Sequence, residues 1–183
     1  MNRTPLTRTA TVGVAAVLAF GFATVAYAQT DATVTATVTS PVGAGRSVTA
    51  VSPVTLASVS GLEMSGVLTV GIDEVAATGI NDWSVTVSAT ALSGTDLTDI
   101  PASALAIDNR ATVGTGQVGE VTLTDGSGSE DLSVARTLFT VGGEVITGAY
   151  SGVFAHTADI TLSIPNGAEL GAYTGTLTVT IVE

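Results

Sequence analysis

Residues 164–183 read IPNGAELGAYTGTLTVTIVE, and this stretch decides the fold class. Its first half is rich in turn-forming residues, with Pro165, Asn166 and Gly167 in succession. Its second half alternates, because residues 173, 175, 177, 179 and 181 face one way and the intervening threonines face the other. Period-two alternation over about ten residues is typical of a β-strand with one buried face. The sequence therefore predicts a half-buried strand over 173–182.

The same alternation recurs along the chain between clusters of glycine, serine and aspartate. The segment 47–57 is interrupted by Pro53, which predicts either two short strands or an edge strand. Within 97–106, the Ile100-Pro101 pair predicts one helical turn, and no segment beyond residue 28 has a convincing helical period. The candidate strands are 32–39, 47–57, 67–72, 83–91, 104–107, 120–124, 132–141, 158–164 and 173–182.

About eight or nine short antiparallel strands predict an all-β domain, a single antiparallel β-sandwich of the Ig-like or Greek-key type. A closed β-barrel is the alternative. The connections 108–119 and 142–154 are long for hairpin loops, so we expect them to cross between sheets or to cover one end.

The first 28 residues are interpreted as a cleaved signal peptide. Arg3 and Arg8 give a positive n-region, 11–25 is an apolar h-region, and Ala26-Tyr27-Ala28 is an A-x-A cleavage site. The apolar run is shorter than the roughly 20 residues that a spanning helix needs. We therefore expect residues 29–183 to form one secreted, extracellular or cell-surface domain that is not inserted in a membrane, with no sorting tail after its last strand.

The charge balance excludes several classes of partner. The chain has sixteen acidic residues, five arginines and no lysine, for a formal net charge of −11. Removing Arg3 and Arg8 with the signal peptide leaves three arginines and a charge of −13. Nucleic acids and anionic lipids are recognised by basic patches, so neither is an expected partner. The absence of cysteine excludes disulfides, thiolate metal sites and a cysteine nucleophile.

The sequence does not indicate an active site. His156 is the only histidine, and one histidine without cysteine cannot build a typical zinc site, so we expect it to be a packing or surface residue. No G-x-S-x-G motif occurs and the α/β pattern of the hydrolases that use it is missing. We therefore predict a protein that is not an enzyme and has no catalytic cofactor.

The segment 125–131, DGSGSED, is the densest group of potential oxygen ligands. Calcium takes six to eight oxygens, and Asp125, Glu130 and Asp131 are the candidate ligands. The glycine at the sixth position and the distal glutamate of an EF-hand loop are missing. We favour a solvated hairpin loop with glycines at positive φ, and a calcium site is the alternative.

Trp83 is the only tryptophan and begins an alternating segment. It is in phase with Val85 and Val87, which favours a place in the sandwich core. The alternative is an exposed ring that stacks on a sugar or on a partner protein.

Two segments together resemble the WxL domain of bacterial cell-surface proteins. They are 79–89, GINDWSVTVSA, and the segment 164–181 that leads into the YTGTLTVTI strand. The resemblance implies an exported sandwich held non-covalently on the Gram-positive cell wall, through peptidoglycan. The chain departs from the motif, because valine replaces leucine at Val85 and VTI replaces the second W-x-L. The candidate motif or binding residues are Trp83, Val85, Tyr173, Val179 and Ile181.

We therefore expect a non-enzymatic cell-envelope protein whose partners are the cell wall or other surface proteins. The alternative is a fimbria-like structural subunit. Its basis is the alternating segment 31–39, which could add to the open sheet edge of a neighbouring molecule. In the simpler interpretation, this segment is the first strand of the chain's own sandwich.

Overall fold

The fold is described from a computed structural model, which describes residues 31–39, 46–60, 62–77, 82–115, 121–143, 150–169 and 171–182. The expected signal peptide, residues 1–28, lies outside them. The described residues form eleven strands and one short 3₁₀ turn at Ala102–Ala104, where one helical turn was predicted. The strands are β1 Asp31–Thr39, β2 Arg46–Val51, β3 Val54–Ser60, β4 Glu63–Ala77, β5 Trp83–Ala89, β6 Leu105–Thr115, β7 Val121–Asp125, β8 Glu130–Asp131, β9 Arg136–Gly143, β10 Tyr150–Ser163 and β11 Ala172–Val182.

The strands form two layers, which confirms the predicted all-β sandwich. The first sheet, sheet A, has the order β7-β9-β5-β11-β1. In the second, sheet B, β2 and β3 both pair with β4, which is followed by β10, β6 and β8. A short β1–β3 ladder, with Val34 opposite Val54, joins the sheets along one side. The strand path in the described residues begins at β7 and ends at β8, so it is not a closed barrel.

One pair of strands departs from the predicted antiparallel pattern. β1 runs parallel to β11 over nine residues, from Asp31 opposite Ala172 to Thr39 opposite Thr180. Every other ladder is antiparallel among the strands that the structure describes. Because β1 and β11 are the first and last strands in the described ranges, their pairing brings distant parts of the sequence together.

Two predicted loops are largely strand, and this corrects the sequence analysis. β6 continues to Thr115 and β10 already begins at Tyr150, although 108–119 and 142–154 were expected to be connections. The alternation of β6 was hidden by a register shift opposite Thr157–Asp159 and by Asn109, whose φ is 48°. The strand count exceeds eight or nine partly because Ser52 and Pro53 divide 47–57 into β2 and β3, the first of the two options.

The core lies between the two sheets and confirms the predicted inward phase of several strands. Leu68, Val70 and Ile72 of β4 are fully buried. Sheet A contributes Leu177, Val179 and Ile181 from β11 and Val85 and Val87 from β5, with at most 2% exposure.

Candidate functional site

The two segments that resemble the WxL domain are neighbouring strands. β5 and β11 pair antiparallel in the middle of sheet A, with Val85 opposite Ile181 and Val87 opposite Val179. The side chains of the five motif candidates all point into the core. Their exposed fractions are 2% for Trp83, 0% for Val85, 1% for Tyr173, 0% for Val179 and 2% for Ile181.

Trp83 is a core residue, as its phase with Val85 and Val87 predicted. Its ring makes edge-to-face contacts with Phe139 and Phe154, at centroid distances of 5.7 and 5.4 Å. The guanidinium of Arg46 lies 5.2 Å from the ring centroid, which is within the range of a cation–π contact. Arg46 Nε also donates to Glu74 Oε1 at 2.8 Å, and burial raises the pKa of Glu74 although the Arg46 charge opposes this.

The outer face of sheet A carries hydroxyl groups. β5 presents Ser84, Thr86 and Ser88, each half-buried between its neighbours. Pairing places these residues in rows with the outward residues of adjacent strands, such as Thr124–Thr140–Ser84 and Thr137–Thr86–Thr180. The outward side chains along β7, β9, β5 and β11 that the structure describes are Thr122, Thr124, Thr137, Thr140, Ser84, Thr86, Ser88, Thr174, Thr176, Thr178 and Thr180, with Ala172 and Val182 at the ends of β11.

A groove opens on this face where β5, β9 and the end of β11 meet. It has a volume of about 280 Å³ and is wide open to solvent. The carboxylate of Asp82, one of the lining residues, lies next to Gly142. The lining residues are Asp82, Trp83, Ser84, Thr137, Thr140 and Val182.

Two of the acidic residues of the 125–131 loop, the alternative calcium site, form ion pairs with arginines. Glu130 accepts from Arg110 Nη2 at 2.8 Å and from Arg136 Nη1 at 3.2 Å. Asp131 accepts from Arg136 Nη2 at 3.1 Å, and its hydrogen bonds with Ser133 lower its pKa. Within the described ranges, no three acidic or histidine side chains are grouped so that they could hold a metal ion.

The two glycines of this loop, Gly126 and Gly128, allow backbone conformations and contacts that a larger residue would hinder. Gly128 has a φ of 74°, as predicted for a loop glycine. The predicted hairpin is wrong, because β7 pairs with β9 in sheet A whereas β8 pairs with β6 in sheet B, so the loop crosses between the sheets. A Cβ on Gly126 would clash with the carbonyl oxygen of Thr137 and would lie 2.8 Å from Arg110 Nη1. Gly126 therefore lets the loop close over the Arg110 side chain, which is fully buried.

Asp125 takes part in a second polar contact, which links the surface to the buried His156. Its carboxylate accepts a hydrogen bond from the Thr112 hydroxyl, and Thr112 Oγ1 lies 2.8 Å from His156 Nδ1. A carboxylate can only accept, so the Thr112 hydroxyl proton is donated to Asp125. The Thr112 oxygen therefore accepts from His156, and His156 Nδ1 carries the ring proton. Burial lowers the pKa of His156 to about 4, although Asp125 opposes this, and the ring stacks on Phe139 at 5.3 Å.

This arrangement does not match that of a hydrolytic triad. A triad needs histidine between the hydroxyl and the carboxylate, whereas the Thr112 hydroxyl lies between His156 and Asp125. His156 is also fully buried, so no substrate can reach its ring. His156 is a packing residue, one of the two roles that the sequence analysis expected for it.

Sequence reasoning missed the partners of the acidic residues. Arg46, Arg110 and Arg136 each form an ion pair within the fold, and none was singled out. The sequence could have indicated these ion pairs, because the three arginines after position 28 are far outnumbered by the sixteen acidic residues. The rows of outward threonines were also visible as alternation, but their place on one sheet face depends on strand pairing.

Comparison with known proteins finds no match. No family model fits the chain, and neither a curated protein nor a solved structure is significantly similar to it. The WxL resemblance therefore depends on the residues of the two motif segments alone. Among the described residues, no helix has the length and apolar character required to cross a membrane.

Proposed function

We propose that this chain is a non-enzymatic, exported protein of the bacterial cell envelope that binds cell-wall peptidoglycan non-covalently. The observation that carries the proposal is the pairing of β5 with β11, the strands that contain the two WxL-like segments. Segments separated by more than 70 residues of sequence thus form one structural unit. Because the inward residues of both strands form the core, only their outward residues can contact the wall.

The electrostatics of the domain favour an uncharged wall component. After export the chain has thirteen more acids than arginines, and the three remaining arginines pair with carboxylates. Such a surface repels anionic polymers at distances up to about 10 Å at 0.1 M salt. The glycan strands of peptidoglycan carry their charges on the attached peptides, so they fit this protein better than the anionic polymers of the wall.

Co-sedimentation with purified sacculi tests the proposal. The protein recovered from an expressing culture is mixed with sacculi stripped of anionic polymers, and we expect saturable binding. A single-site variant of Trp83 is unsuitable here, since truncating a buried tryptophan costs about 3–5 kcal/mol and would confound binding with unfolding. Finding the protein only in the medium and never on washed cells or sacculi would refute wall binding.

A fimbria-like subunit is the second candidate, and the position of β1 is the observation that favours it. β1 fills the space between β11 and β3, and without it both strands would have unpaired backbone groups. The β1 of a second molecule could satisfy the same groups. In the structure the chain's own β1 does so, which is why strand donation ranks second. Electron microscopy of the exported protein tests it, because strand donation predicts fibres and an integral β1 predicts single particles.

A further inference from the structure

The outer face of sheet A combines three properties. It includes the strands that carry the WxL-like segments, most of its described outward side chains are serine or threonine, and it has a groove of about 280 Å³. By contrast, the outer face of sheet B includes Asp73, Asp108 and Asp159. The two faces of the sandwich therefore differ in charge.

The hydroxyls form a regular pattern. Adjacent strands are about 4.8 Å apart, and outward residues on one strand recur about every 6.7 Å. Each threonine or serine hydroxyl can donate one hydrogen bond and accept two. Such a grid suits a ligand with hydroxyl and amide groups that repeat along its length.

The groove adds features that fix one part of such a ligand. Ser84 and Thr140, directly opposite each other, supply hydroxyls to its wall. Trp83 also contributes to the lining, although only 2% of its surface is exposed. The volume lies just below the range for drug-sized ligand sites, about 300–1,000 Å³, so the groove suits one small ring and not a folded peptide.

The charge of this face selects among wall components. Asp82 is the one charged side chain among the described residues that line the groove, and no arginine lies there. An anionic polymer would need cationic partners, and the described residues that line the groove include none. A neutral, N-acetylated sugar chain needs only hydrogen-bond donors, acceptors and a shape that fits.

We propose that the groove at Ser84 and Thr140, together with the adjoining threonine rows, is the site where this protein binds a neutral β-linked N-acetylhexosamine chain. This inference rests on the proposed function, because it names the wall component and the face that contacts it. Each contact is weak and open to solvent, so useful affinity comes from several sugars lying along the rows and from many chains in the wall.

The test uses the isosteric double variant Ser84→Ala/Thr140→Val, which removes two hydroxyls from the groove and keeps the side-chain shape. The matched control is Ser65→Ala/Thr69→Val on the outer face of β4 in sheet B. Binding is measured to an N-acetylglucosamine tetramer by calorimetry and to purified sacculi by sedimentation, at 50 and 500 mM NaCl. Thermal melting verifies that both variants are folded.

We expect the wild-type protein to bind both probes with little salt dependence. The groove variant should lose at least tenfold in affinity, and the control should stay within twofold of the wild type. Sacculus binding that survives in the groove variant, or that falls steeply with salt and is absent for the tetramer, would overturn this inference and leave wall binding intact. Wild-type protein that binds no sacculi would overturn the proposed function as well.

Discussion

His156 shows how one buried side chain makes stability depend on pH. The burial that lowers its pKa to about 4 acts only in the folded state, whereas an unfolded chain has a histidine pKa of about 6.5. Between these values the unfolded state binds more protons, so stability falls as pH decreases from 6.5 to 4. Below pH 4 both states are protonated and the loss is complete, at about 3 kcal/mol.

We expect urea unfolding to show a lower midpoint at pH 5 than at pH 7. The variant His156→Gln cannot titrate, so its midpoint should change much less between pH 7 and 5. Glu74 opposes the trend at lower pH, because its raised pKa means that the folded state takes up a proton more readily there. An equal pH dependence in the variant and the wild type would show that His156 is not responsible.

Gly126 and Gly128 permit a comparison within one loop. A methyl group at Gly126 meets the Thr137 carbonyl and Arg110, so we expect Gly126→Ala to cost about 2–3 kcal/mol, typical of overpacking. Gly128 has open space around it, and Gly128→Ala suffers only from the positive φ, about 1 kcal/mol. Chemical denaturation measures both. Equal losses would mean that the loop does not close over Arg110 as described.

At the level of elements, strands whose alternation is uninterrupted could be predicted from the sequence. The last strand was predicted over 173–182 and is observed at Ala172–Val182. β6 could not be delimited, because Asp108 and Asn109 resemble a turn and their strand context comes from β10, about 50 residues later. The acidic loop at 125–131 shows the same limit. The acids of the 125–131 loop were found, whereas Arg110 reaches them only through the folded arrangement.

The position of β1 can be tested with a disulfide, since the chain has no cysteine. Thr33 lies opposite Thr55 in the antiparallel β1–β3 ladder. Opposite Cα atoms in such ladders are about 4.5–5.5 Å apart, which a disulfide can span. We expect Thr33→Cys/Thr55→Cys to oxidise within one molecule and to stabilise it by about 3 kcal/mol.

The control is Thr69→Cys/Thr157→Cys, which joins β4 to β10 inside sheet B. This pair should cross-link within one molecule whether or not β1 is exchanged between molecules. Non-reducing gels distinguish the cases. A ladder of covalent oligomers from the β1 pair, with monomers from the control, would contradict an integral β1 and favour the fimbria-like subunit.

For the whole molecule, the dominant electrostatic feature is repulsion. Residues 29–183, the expected mature chain, have a formal charge of −13, and their three arginines form ion pairs. Excess charge of one sign destabilises the compact state, and salt screens it. The Arg46–Glu74 pair, with side chains at most 3% exposed, is much less affected by salt. Screening should therefore stabilise the domain.

We expect the melting temperature at neutral pH to rise by about 2–4 °C between 20 and 500 mM NaCl, which corresponds to about 1 kcal/mol for a domain of this size. A fall would mean that the ion pairs around Glu130 contribute more than the repulsion costs.

Calcium chloride at matched ionic strength separates screening from specific binding. Because Glu130 and Asp131 already bind guanidinium groups, calcium should add nothing beyond its ionic strength. A larger rise would identify a calcium site, since an ion bound only by the folded state must stabilise it.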